Sequence, residues 1–147
     1  MYHFNLESLL RHRKFIEDAK QKELALVQSQ LNYELRRLIV LKEKLMQSVN
    51  EFKKRQGSNM QSQEFCMVRG YSSHLNIKIK EQQKTIESTE KQVKIARTEL
   101  LSAVKDRKIL EKLKEKRKKE FLQEKAKKEQ KLTNEAAVAQ YNRKNNR

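Results

Sequence analysis

No proline occurs anywhere in the 147 residues; glycine occurs twice, cysteine once and tryptophan never. Each scarcity removes a class of architecture. Short of the residues that turn corners, the chain cannot be a compact domain of many short elements. Aromatic residues at 6% and hydrophobic residues at 36% leave too little for a thick globular core. The lone Cys66 cannot close a disulfide within the chain, and His3, His12 and His74 are scattered without metal-ligand spacing. A reducing, cytoplasmic compartment is the simpler expectation, with no cofactor and no metal. The longest wholly apolar run is Leu38-Ile39-Val40-Leu41, far below the roughly 18 residues needed to span a bilayer. The first dozen residues carry His3, Glu7 and Arg11 and no apolar stretch, so a cleaved leader is not expected.

What is present is charge on strong helix formers. Lys and Arg number 35 against 19 Asp and Glu, for a net charge of +16. Such an excess implies an acidic partner, whether nucleic acid, membrane surface or protein, without choosing among them. High charge with low hydrophobicity also fits disorder, so periodicity has to decide.

Periodicity favours long helices. An apolar ladder runs Leu24, Val27, Leu31, Leu35, Leu38, Leu41, Leu45, Val49, Phe52, its steps averaging 3.5 residues, the spacing of a coiled-coil seam. It continues less cleanly upstream through Leu6, Leu9, Leu10 and Ile16, with Arg13 and Lys20 interrupting. The second half has its own register: Ile79, Ile86, Val93 and Leu100 recur every seven residues beside Leu75, Gln82, Thr89, Ala96, Ala103 and Leu110. Small Ala96 and Ala103 permit close approach, and Gln82 and Thr89 are polar seam positions able to fix register. Beyond Leu110 the seam is expected to decay, because Arg107, Lys114 and Arg117 occupy its positions.

Between the ladders lies the polar stretch Arg55 to Gln63, with Gly70 following. Residues 56–70 therefore read as the linker, after a first helix of about 3–55 and before a second of about 71–140. A linker of fifteen residues reaches at most about 50 Å, whereas a fifty-residue helix is about 75 Å long. The chain cannot return to its start for a parallel pairing, so the helices must run antiparallel. The expected fold is all-α, one elongated antiparallel two-helix coiled coil (a helical hairpin) with a basic C-terminal overhang. With the turn centred near residue 63, residue i should meet residue 126 minus i, and about the last 25 residues should overhang.

No nucleophile with its base, phosphate-cradling glycine loop or paired carboxylate pocket is present, so an enzyme is not expected. The run Lys112 to Lys119 can be read as a nucleic-acid arm. Its plainer reading is a solvated face. Glu111, Glu115, Glu120, Glu124 and Glu129 recur through it, and Glu115 with Lys119 and Glu124 with Lys128 are spaced as i,i+4 pairs. A basic zipper region joins a parallel dimer and is not laced with acids in this way. Phe65, Met67, Tyr71 and His74 make the turn end richer in apolar groups than a turn requires. Local packing and a partner contact explain that equally well.

Several strings resemble the flagellar FliJ family, the small coiled-coil component of the flagellar type III protein export apparatus. They are Phe4 to Leu10 with Arg13; Tyr71 to Leu75 followed by Ile79 and Gln82-Gln83; and Glu90, Arg97, Leu100 and Ala103. The most telling run is Lys108-Ile109-Leu110-Glu111-Lys112-Leu113-Lys114-Glu115, followed by Glu129-Gln130-Lys131 and Asn134-Glu135-Ala136-Ala137. Asn134 departs from the family pattern, which usually has Asp there.

The resemblance implies a stalk inserted in the ring of the hexameric flagellar export ATPase and linked to the membrane export gate protein, with export chaperones as further partners. It places the protein in the cytoplasm, held to the inner face of the membrane by that apparatus. By carry-over, the end where the termini meet faces the ring, through Leu6, Leu9, Leu10, Arg11, Arg13 and Lys14 with Arg117, Lys118 and Phe121. The gate-facing surface would comprise Leu38, Leu41, Leu45, Tyr71, Leu75, Lys78 and Gln82, several of which the seam equally needs. Two readings stay open beside this one: a basic helical binder of nucleic acid or the ribosome, and a purely structural coiled coil that self-associates.

Overall fold

Uninterrupted helix formers give two long helices in the computed structural model, which describes residues 2–55 and 61–146. Helix α1 spans Glu7–Arg55 and helix α2 spans Ser62–Asn145. Their termini carry charges that complement the helix dipole, with Glu7 and Glu64 in the first turns and Lys53, Lys54, Arg55, Arg143 and Lys144 in the last. The fold is an all-α helical hairpin, with no strand among the described residues.

Both helix starts differ from expectation. Helix α1 begins at Glu7, not near residue 3, because the Glu7 amide donates to the Phe4 carbonyl at 3.1 Å and makes a turn of residues 4–7. Helix α2 begins at Ser62, so residues 62–70, read from the sequence as linker, are helical. Gly70 sits inside that helix without positive φ and with open space where a Cβ would stand. Its helix penalty of about 1 kcal/mol is outweighed because Phe65 and Val68 on the same turns pack toward α1. Of the stretch expected to turn, residues 56–60 lie outside the described residues.

Cα packing divides the chain into two units, one of Met1–Glu17 with Ser102–Arg147 and one of Asp18–Leu101. In the second unit, α2 supplies a buried line of Leu75, Ile79, Gln82, Ile86, Thr89, Val93 and Ala96. The facing line on α1 is not quite the apolar ladder of the sequence. Strict alternation of three and four residues passes through Leu31, Glu34, Leu38, Leu41, Leu45, Ser48 and Phe52, and Glu34 and Ser48 are buried there. Leu35 and Val49, one position on, are each 39% exposed. The heptad geometry, not the apolarity of the side chain, decides which residue enters the seam.

The first unit buries Phe4, Leu10, Ala103 and Leu110. Its seam does not decay at the basic residues; it becomes ionic. Arg107 donates to Glu17 and to Glu111, Lys114 meets Glu7 at 2.9 Å, and Arg13 meets Asp106 at 3.4 Å. Beyond Phe121 every described residue of α2 is exposed, and these residues form the basic helical overhang.

Register differs from expectation by a few residues. Partners Gln82 and Glu34 have residue numbers adding to 116, Lys20 and Glu99 to 119, Ser48 and Ser72 to 120, and Arg107 and Glu17 to 124. All fall short of 126. The polar side chains match one another at the lower values, and α2 begins early enough to allow it.

Candidate functional site

The first unit contains both sets of residues expected at the terminal end, but it is Tyr2 and Phe4, outside the expected sets, that meet Phe121 and Arg117. These contacts form because the ionic seam holds the start of α1 against α2. Leu6 is half-buried and Leu9 is 38% exposed, while Leu10 is almost wholly buried. Arg11, Lys14 and Lys118 are exposed and close no ion pair. Arg13 is held by Asp106. The Arg117 guanidinium lies 5.9 Å from the centre of the Phe4 ring, a cation–π contact. Phe121 pairs with Tyr2 at 5.4 Å between ring centres. The surface thus combines two aromatic contacts at the terminal end with exposed cations elsewhere in the same unit.

Electrostatics here are set by the ion pairs. The Lys114 ammonium, hydrogen-bonded to Glu7, holds that carboxyl below its ordinary value, with Arg11 and Lys14 adding to the effect. Glu17, then Glu111, raises the Arg107 guanidinium still further. In the second unit Glu99, then Glu23, raises Lys20.

The second unit holds the residues expected to face the export gate. Leu38, Leu41 and Leu45 are half-buried, and Lys78 and Tyr71 are exposed. Leu75 and Gln82 are buried in the seam. The Gln82 amide donates to the Glu34 carbonyl at 2.9 Å and to its carboxylate, which also accepts from Gln30 at 2.8 Å. Burial therefore takes Leu10, Leu75 and Gln82 out of a partner's reach while the helices stay paired.

At the turn end of the same unit lies an apolar groove of about 260 Å³, lined by Val49, Phe52, Phe65, Val68, Arg69 and Ser72. The Phe52 and Phe65 rings pack 5.3 Å apart and tilted. The apolar excess at this end thus packs in part, leaving Met67 75% and Tyr71 48% exposed. The spaced pairs Glu115 with Lys119 and Glu124 with Lys128 do not close; among the described residues, ion pairs within one helix are Lys20–Glu23 and Arg107–Glu111. Both open pairs are fully exposed, where water solvates each charge as well as its neighbour does.

Among the described residues no three His, Cys, Asp or Glu side chains group to hold a metal ion. No described helix is long and apolar enough to cross a membrane. What the arrangement offers is surface: aromatic contacts and exposed cations in one unit, an apolar groove in the other.

The sequence model of the family described as "Flagellar FliJ protein" matches residues 2–146. No curated protein matches the chain. Among solved structures, one described as a YscO homolog, CT670 from Chlamydia trachomatis, aligns at 21% identity over 96% of each chain, with a TM-score of 0.48.

Proposed function

Because the chain belongs to the flagellar FliJ family, we propose that it is a non-enzymatic coupling stalk of the type III export apparatus. In this reading its terminal end engages the ring of the hexameric export ATPase. The observation that carries the reading is the set of exposed cations Arg11, Lys14 and Lys118, free of ion pairs, in the same unit as the Tyr2–Phe121 and Phe4–Arg117 contacts. A basic, partly apolar end suits an acidic or polar ring lumen.

The proposed gate contact uses the exposed or half-buried members of its set, Leu38, Leu41, Leu45, Tyr71 and Lys78. Export chaperones are the third class of partner. The mechanism needs no chemistry in this chain. A helical pair inside a ring touches the alternative states of the ring's subunits differently, and differential contact shifts their equilibrium. ATP turnover in the ring is thereby tied to delivery of substrate at the membrane.

Site-specific photo-crosslinking tests the orientation. A photoreactive residue at Lys118 should capture the export ATPase, and one at Lys78 the gate protein. The opposite assignment, or capture of neither at Lys118, contradicts the reading.

A further inference from the structure

Opposite its packing seam, the first unit carries a feature that the coupling role leaves unused. Lys105, Lys108, Lys112, Lys116 and Lys119 follow one another on α2 at steps of three, four, four and three residues. At 3.6 residues per turn they fall within an arc of about 80°, centred opposite Arg107, Leu110, Lys114 and Arg117, and extend over about 21 Å. All five are exposed. None closes an ion pair, whereas the neighbouring acids Asp106 and Glu111 are engaged by Arg13 and Arg107 at the seam. The nearest free carboxylate, Glu115, stands at the edge of the arc. It shares a shallow groove with Lys112, Lys116, Lys118, Lys119 and Leu122. Lys127 extends the line into the overhang.

A helix face that is merely solvated ordinarily alternates its signs. This one concentrates a single sign in a straight line, leaving a multivalent site for anions. We propose that the stripe docks the protein directly on an anionic lipid surface. Three observations favour lipid over nucleic acid. The stripe is all lysine, with none of the arginine forks that pair bidentately with phosphate or guanine. No aromatic ring lies among the lysines to stack on a base. Two apolar side chains, Ile109 at 64% exposure and Leu122 at 52%, flank it on either side, placed to enter the headgroup boundary as the ammonium groups snorkel above it. Runs of four to eight cations on one helix face are the pattern that anionic leaflets attract. The proposal stands apart from ATPase coupling, since it uses none of the residues assigned to the ring or the gate.

The test is co-sedimentation of the full chain with vesicles of phosphatidylcholine alone and of phosphatidylcholine mixed with phosphatidylglycerol, at about 0.15 M salt. Binding is expected to the mixed vesicles only. The triple variant Lys105→Glu, Lys112→Glu, Lys119→Glu should lower the partition coefficient about a hundredfold or more. The triple variant Lys22→Glu, Lys42→Glu, Lys44→Glu carries the same change in net charge on exposed sites of α1, and should lower it far less. Circular dichroism checks that both remain helical, and a Lys→Gln set at the stripe positions repeats the measurement without reversing charge. Failure to bind the mixed vesicles, equal losses from the two triples, or displacement by duplex DNA at equal charge concentration would each overturn the proposal.

Discussion

Gln82 and Glu34 show how single side chains determine which turns of two similar helices meet. Both are buried, and each satisfies the other across the seam. Leaving one without its partner is costlier than losing the bond alone. Gln82→Ala should therefore destabilise the fold by about 1–3 kcal/mol in urea unfolding. Gln82→Leu combined with Glu34→Leu should recover most of that loss, since replacing both partners by apolar groups is close to neutral. Gln82 was legible in the sequence as a polar seam residue; Glu34 was not. Its neighbour Leu35 is the apolar residue, and following apolarity led past the heptad position that strict spacing would have found. The same slip hid Ser48 behind Val49.

Lys114 lowers the Glu7 carboxyl below its ordinary value. A group depressed in the folded state contributes stability above its unfolded pKa and loses it as pH falls through the folded value. The Glu7–Lys114 link at the end of α1 should therefore open on the acid side of the ordinary carboxylate range. A carboxyl-resolved NMR titration should place Glu7 low in the native chain and return it upward in Lys114→Gln. An unchanged midpoint in the variant would remove the ion pair from the account.

At the scale of the elements, close approach of the helices rests on small residues. Ala96 and Ala103 are buried at positions where the sequence already suggested that helices could come near. Ala96→Leu should force the pair apart locally and cost about 1–3 kcal/mol, read as a fall in the urea midpoint with an unchanged slope. A neutral result would mean that the seam is open there. The existence and antiparallel pairing of the helices were legible, because the linker is too short for any other return. The start of α2 was not. Polar residues and Gly70 resembled a linker, while Phe65 and Val68 kept those turns helical by packing. The ionic seam of the first unit was likewise read as decay, since Arg107, Lys114 and Arg117 look foreign to a core until Glu17, Glu7 and the Phe4 ring are seen opposite them.

For the whole molecule, the excess of positive charge favours recognition of an acidic partner. Family membership was legible from the strings around Phe4 and Lys108. The surfaces were legible only in part, since a residue such as Leu10 reads as a contact until its burial is known. The two arginines that first suggest themselves for disruption, Arg13 and Arg117, are committed within the chain to Asp106 and Phe4. Lys14 and Lys118 are exposed and close no ion pair, so reversing them tests the proposed ring contact at less cost to the fold than reversing Arg13 or Arg117.

The most direct measurement is the steady-state ATP hydrolysis rate of the cognate export ATPase with and without this protein, at two salt concentrations, beside the double variant Lys14→Glu, Lys118→Glu. Stimulation should persist at moderate salt and fall at least tenfold in potency in the variant, a change of about 1.4 kcal/mol or more in the contact. Turnover indifferent to the protein, or stimulated equally by the variant, would contradict the proposed ring contact.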